Sequence, residues 1–245
     1  ASRPDLGRAS WIDGARNPVS SQPTASAPPA LAAALAKAFG DDLDAAQRDT
    51  LGTRAVVVLW HGRVVAERYA AGFEPTTPQL GWSMTKSVTS LMLGRLVAEG
   101  KVALSDSHLR AEWTDARASI TIEDLLRMRS GLAWDEAYDL GTPITQMLYD
   151  QADMAAFVAA QPLAHPVGTV QQYSSGSTTL LCAVLNAAMH QGADLPRRAL
   201  LGLLGVSSAV WEADSVGTPV CTPTRSSRDR SAIQTSSSGQ SRTWA

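Results

Sequence analysis

The sequence predicts an α/β chain of the α+β type, in which a short antiparallel sheet is set apart from a helical lobe. Three observations predict it. Two β-rich runs, Arg54 to Trp60 and Arg63 to Tyr69, are separated only by His61-Gly62, the spacing of a two-residue hairpin. From Ser83 to about residue 205 the apolar residues recur at helical spacing instead. No strand pattern alternates with those helices, as it would in a doubly wound parallel sheet.

The 245 residues can hold one large domain or two interlocked lobes, with ample apolar material for a core. A formal net charge of −2 with 18% charged residues gives no reason to expect nucleic acid or an anionic membrane as partner. No apolar run approaches the ~20 residues that span a bilayer. Leu31 to Phe39 is Ala-rich and lacks a basic segment before it, so it reads as an amphipathic helix rather than a signal sequence; the compartment stays open, with the cytoplasm slightly favoured. Cys182 sits in an apolar helical run as a buried thiol. Cys221 falls in an irregular tail, and no disulfide is expected.

In chain order, residues 1–29 are rich in Pro, Ser and Ala and read as a mobile leader. Leu31, Leu35, Ala38 and Phe39 follow at helical spacing up to Gly40. The hairpin comes next, and it needs further strands or a helix beneath it to be stable. Pro75 and Pro78 mark a loop into a helix that runs from Ser83 to near Gly100. Thr121-Ile122-Glu123-Asp124 is a capped start for Leu125, Leu126 and Met128, with Gly131 as the stop. Met154, Phe157 and Val158 predict a short helix closed at Pro162, and Pro166-Val167-Gly168 a turn. Thr178 to Met189 and Leu195 to Leu204 predict two more helices. Residues 221–245, rich in Ser, Thr and Arg and without period, read as a disordered tail. The domain is therefore expected over residues 30–220.

Chemistry concentrates at Ser83-Met84-Thr85-Lys86. Residues three apart on a helix share a face, so the Lys86 amine can take the Ser83 proton and leave a nucleophilic oxygen. A helix N-terminus favours negative charge developing beside Ser83. Alone the motif is weak, since a serine N-cap with an exposed lysine has the same letters. Tyr173-Ser174-Ser175-Gly176, in a polar turn before a helix, adds a phenol able to act as acid in one half-reaction and base in the other. By itself such a tyrosine more often packs against the helix flank.

Together, Ser83-Met84-Thr85-Lys86-Ser87 and Tyr173-Ser174-Ser175-Gly176 resemble the first two motifs of the serine β-lactamase-related hydrolases. The branch is that of class C β-lactamases, DD-peptidases, family VIII carboxylesterases and 6-aminohexanoate-dimer hydrolases. Gly100 to Asp106, Ile120 to Leu132, Trp134 and Tyr138 extend the likeness, which runs from about residue 54 to Val220. The resemblance implies Ser83 as the acylated nucleophile and Lys86 as its base. Tyr173 would protonate the leaving group and later activate the deacylating water. Ser175 stands where many relatives have asparagine and would bond Lys86 or substrate, and Tyr138 would line the cleft. The partner is then a small-molecule ester, amide or β-lactam, with the Ser175 departure leaning toward esters and linear amides. No metal or organic cofactor is implied.

The family's third motif, Lys-Thr-Gly, His-x-Gly or Trp-x-Gly on a downstream strand, has no convincing match. His190-Gln191-Gly192 fits by letters only and reads as a helix stop. A truncated or frame-shifted family member, with its sheet incomplete for want of the C-terminal strands, is the resulting expectation. Two alternatives stand beside an active hydrolase: a catalytically impaired relic, and a Ser-His-Asp α/β-hydrolase. The second rests on Gly81-Trp82-Ser83-Met84-Thr85, which lacks the final glycine of Gly-x-Ser-x-Gly, with His165 or His190 as base.

Overall fold

The structure, a computed structural model, describes residues 28–61 and 63–221, with the backbone alone for Arg63. The expected leader and tail lie almost wholly outside the described residues, as does Gly62 of the hairpin turn. The chain forms two compact units, which divide between Gln79 and Leu80.

In the first unit, α1 (Pro29–Phe39) starts with proline at its first position and ends at Gly40, whose φ of 62° only glycine adopts freely. A second helix, α2 (Ala45–Leu51), was not expected. Its signal is Asp44-x-x-Gln47, a reciprocal capping box in which Gln47 N donates to Asp44 Oδ1 at 2.9 Å and Asp44 N to Gln47 Oε1 at 3.1 Å. The expected hairpin is present. Strands β1 (Ala55–Trp60) and β2 (Arg63–Tyr69) pair antiparallel, Ala55 opposite Tyr69 and Trp60 opposite Arg63, with a bulge between Val58 and Leu59. These two strands are the whole sheet among the described residues. The helix the hairpin needed is α1: the Arg68 guanidinium lies 4.4 Å from the Phe39 ring centre and pairs with Asp41 just beyond it.

Tyr69 donates a short hydrogen bond to Glu67. That bond to the carboxylate, with burial and the Glu67 charge adding to it, pushes the phenol up from 10.0 to about 12. A phenol held neutral contributes stability in full below its unfolded value and loses it as pH rises toward the folded one. Stability should therefore fall between pH 10 and about 12, and more steeply than in Tyr69→Phe. Equal alkaline limbs in urea titrations of the two proteins would count against this.

The second unit is helical, as expected. Helix α3 (Met84–Ala98) buries Thr89, Met92, Leu93 and Leu96, one stripe at helical spacing. Helix α4 (Ile122–Leu126) begins with the expected box, Asp124 N donating to Thr121 Oγ1 at 3.0 Å and Thr121 N to Asp124 Oδ2 at 3.0 Å. It ends five residues before Gly131, however, because the chain turns at Met128 with φ of 55°. Helix α5 (Pro143–Tyr149) was not expected, although Thr142-Pro143 is a conventional start. Helix α6 (Met154–Ala159) lies where the pattern put it. Helix α7 (Ser175–Met189) begins three residues earlier than the apolar pattern suggested, since Ser174 Oγ accepts from Ser177 N at 2.9 Å. His190 closes it with φ of 52°. The helix expected over Leu195 to Leu204 is present as far as Leu201, with π-helical winding at Arg197–Leu201, and gives way to a turn beyond it. Leu180, Leu181 and Leu185 of α7 are fully buried with Leu93 and Leu96 of α3 and Ile122 and Leu125 of α4.

The last described segment is docked on this core. Ala213 bridges Pro219, Val220 N donates to Glu212 O at 2.9 Å, and Asp214 Oδ2 accepts from Met154 N at 3.2 Å. This brings Cys221 onto α7, where it is disulfide-bonded to Cys182 with a Cα separation of 6.2 Å. The two cysteines were expected to stay apart. The ordered return of residues 211–221, which the composition of that stretch does not announce, is what joins them.

Candidate active site

Ser83 is the residue before α3 and Lys86 is one turn into it, so both side chains emerge at the helix N-terminus. Lys86 Nζ donates to Ser83 Oγ at 3.3 Å. The entry into the helix is tight. Trp82 holds a left-handed φ of 41°, and its carbonyl accepts from Thr85 N at 3.1 Å and Thr85 Oγ1 at 2.9 Å. A tryptophan in that region stores backbone strain directly before the serine.

Tyr173 reaches the same oxygen from the start of α7, its hydroxyl donating to Ser83 Oγ at 2.7 Å. Lys86 Nζ lies 4.8 Å from the centre of the Tyr173 ring. Tyr173 is held by two antiparallel runs of irregular chain. Gln172 N donates to Met128 O and Gly168 N to Arg129 O, each at 2.9 Å, while Ala164 N and His165 N donate to Gly131 O at 2.8 and 3.1 Å. Gly131 is indispensable here for packing, not as a helix stop. Its φ is 77°, and a Cβ would stand 2.3 Å from the His165 carbonyl oxygen. Gly131→Ala should cost roughly 2–3 kcal/mol, combining left-handed strain with the shift needed to clear that oxygen. Urea unfolding checks this; an unchanged midpoint would show that the two runs adjust freely.

Ser175, at the first position of α7, is fully buried. Its hydroxyl accepts from Lys86 Nζ at 3.0 Å.

The residue that the sequence reading missed is Glu136. Its Oε1 accepts a short hydrogen bond from the Ser175 hydroxyl, and its Oε2 accepts from Ser175 N at 2.9 Å and Trp134 Nε1 at 2.5 Å. Asp135 turns the chain by accepting from Ala137 N at 2.9 Å, and Gln172 Nε2 ties Trp134 O to the Tyr173 segment at 2.7 Å. Gly176 lets the Trp134 ring pack against α7, since a Cβ there would lie 2.6 Å from the ring. Tyr138 is about half exposed. Burial, and then the charges of Glu136, Tyr173 and Tyr149, push its phenol up from 10.0.

The histidines stand elsewhere. His190 closes the far end of α7, about 22 Å along the 15-residue helix from Tyr173. His165 lies in the turn whose backbone packs on Gly131. Ser83 Oγ bonds Lys86 and Tyr173. The serine is thus bonded by a lysine and a tyrosine between two helix N-termini.

The beta-lactamase family model matches residues 31–241. The chain belongs to the beta-lactamase family, and its fold is the mixed β-lactamase/transpeptidase-like one, helices with a small antiparallel sheet. A Bacillus anthracis protein provisionally described as a 6-aminohexanoate-dimer hydrolase is similar at a TM-score of 0.56 and 18% identity, over 74% of this chain and 53% of that one. A Bacteroides dorei protein provisionally described as a beta-lactamase gives 0.56 and 19%, over 76% and 58%. A class C beta-lactamase gives 0.52 and 19%, over 71% and 50%. At these identities the likeness is one of fold. The chain spans about half the length of these solved relatives. No curated protein matches it.

Proposed function

We propose that this chain carries the acylation centre of a serine hydrolase acting on small esters or linear amides. The observation that supports this most strongly is Ser83 Oγ bonded at once by Lys86 Nζ at 3.3 Å and by the Tyr173 hydroxyl at 2.7 Å. In the reaction Ser83 Oγ attacks the acyl carbon as its proton passes to Lys86. Charge developing on the carbonyl oxygen is favoured by the N-terminus of α3. Collapse of the tetrahedral intermediate expels the alcohol or amine, which takes its proton from Tyr173, recharged by the Lys86 ammonium. Water then attacks the acyl-enzyme as Tyr173 takes its proton and passes its own to the Lys86 amine, which returns a proton to Ser83 Oγ as the acyl bond to the serine breaks.

Ser175 supports the ester and linear-amide assignment over β-lactams. It occupies the position of an asparagine in many relatives, and here it is buried and engaged by Lys86 and Glu136. A screen of p-nitrophenyl esters and linear anilides against nitrocefin tests this. Turnover of the first two and not of nitrocefin is expected; nitrocefin as the best substrate would overturn the assignment. A second reading, a family member impaired in turnover, draws on the chain's spanning about half the length of its solved relatives. Acylation without release would identify it.

A further inference from the structure

Glu136 touches neither Ser83 nor Tyr173 in any recorded bond, yet its contacts decide which way the hydrogen bond between Ser175 and Lys86 runs. The carboxylate only accepts, and it takes bonds from Ser175 Oγ, Ser175 N and Trp134 Nε1. The Ser175 hydroxyl has one proton, and Glu136 holds it. Toward Lys86 that oxygen then presents lone pairs and nothing else, so the contact at 3.0 Å must be a donation from Nζ.

The consequence falls on the amine. An unprotonated lysine nitrogen has two N–H bonds and a single lone pair. Were the Ser175 hydroxyl free to rotate, it could donate to that lone pair and occupy the only site able to take the Ser83 proton. A carboxylate is the stronger acceptor and wins the proton, because charge-assisted bonds are roughly twice as strong as neutral ones. The recorded bond has Nζ donating to Ser83 Oγ at 3.3 Å; in the unprotonated amine, with one N–H kept on Ser175, the lone pair stays unoccupied and rotation about Cε–Nζ can turn it to that oxygen.

We propose that Glu136 is a positioning residue for Lys86: it captures the Ser175 hydroxyl proton, fixes Ser175 as an acceptor, and so leaves the Lys86 lone pair free for the Ser83 proton. This rests on the hydrolase reading, with Lys86 as the base. The chain Glu136, Ser175, Lys86, Ser83 is built from both halves of the site, since Trp134 and Gly176 hold the Glu136 loop against the helix that carries Ser175.

The test is the second-order rate constant for labelling of the full chain by a fluorophosphonate, measured for wild type, Glu136→Gln, Ser175→Ala and the double variant. Thermal melts of each confirm folding. Glu136→Gln should label at least ~10-fold more slowly than wild type, because the Ser175 proton is released toward Lys86. In the Ser175→Ala background there is no such proton, so Glu136→Gln should change the rate by less than ~2-fold. A purely structural role of the carboxylate would cost the same factor in both backgrounds, and that result overturns the inference, as does a Glu136→Gln rate within ~2-fold of wild type. No labelling of folded wild type removes the hydrolase reading itself and the inference with it, an outcome distinct from labelling that ignores Glu136.

Discussion

Lys86→Met, which keeps the side-chain length and removes the amine, should slow acylation of Ser83 by p-nitrophenyl esters by on the order of 10³-fold. The reason is the short list of groups able to take the serine proton. Lys86 Nζ and the Tyr173 hydroxyl bond Ser83 Oγ, and in the resting arrangement the tyrosine is the donor of its bond. Without the amine, what remains bonded to the nucleophile is a hydroxyl that donates its own proton. Stability should move little by comparison, because the lysine is only half-buried and its loss leaves Ser175 still bonded to Glu136. A p-nitrophenolate burst measured by stopped flow reads the acylation step. A Lys86→Met burst as fast as wild type would mean that the base lies elsewhere.

The second large effect concerns the cross-link between Cys182 and Cys221. Both cysteines are fully buried, and the bond spans 39 residues. Closing a loop of that length removes enough entropy from the unfolded chain to stabilise the fold by about 4 kcal/mol on the chain-entropy account. The cost of losing it should appear first around residues 211–221, whose other ties to the helical core include the Asp214 bond to Met154 and the Ser215 bond to Ala152. Urea unfolding of wild type against Cys182→Ala/Cys221→Ala checks the magnitude. Two titratable thiols in the denatured, unreduced wild type would remove its basis.

These two sites differ in how far the sequence disclosed them. Ser83 and Lys86 are three apart on one helix, so local geometry alone puts them together. Tyr173 joins them through tertiary packing, and only a family resemblance anticipated that. Glu136 had no signal of its own. It follows another acid, Asp135, and what turns Glu136 inward is a local turn together with the packing of Trp134 on Gly176. The disulfide was hidden for a similar reason, since the return of residues 211–221 to α7 depends on Asp214 capturing a backbone amide at the start of α6. Where a local rule existed it was sufficient for the hairpin and most helices. The two helices that were overlooked, α2 and α5, carry ordinary starts in Asp44-x-x-Gln47 and Thr142-Pro143. For α2 the weakness lies in apolar content, since it buries no residue at all and periodicity had nothing to report; α5 buries Ile144 and Met147 but is too short at seven residues to show a period.

The most direct measurement is peptide mass spectrometry of the full chain after reaction with a fluorophosphonate. The account expects one stoichiometric adduct on the peptide bearing Ser83, absent from Ser83→Ala and slowed in Lys86→Met. Folded protein that stays unmodified, or an adduct carried by any other serine, would contradict it.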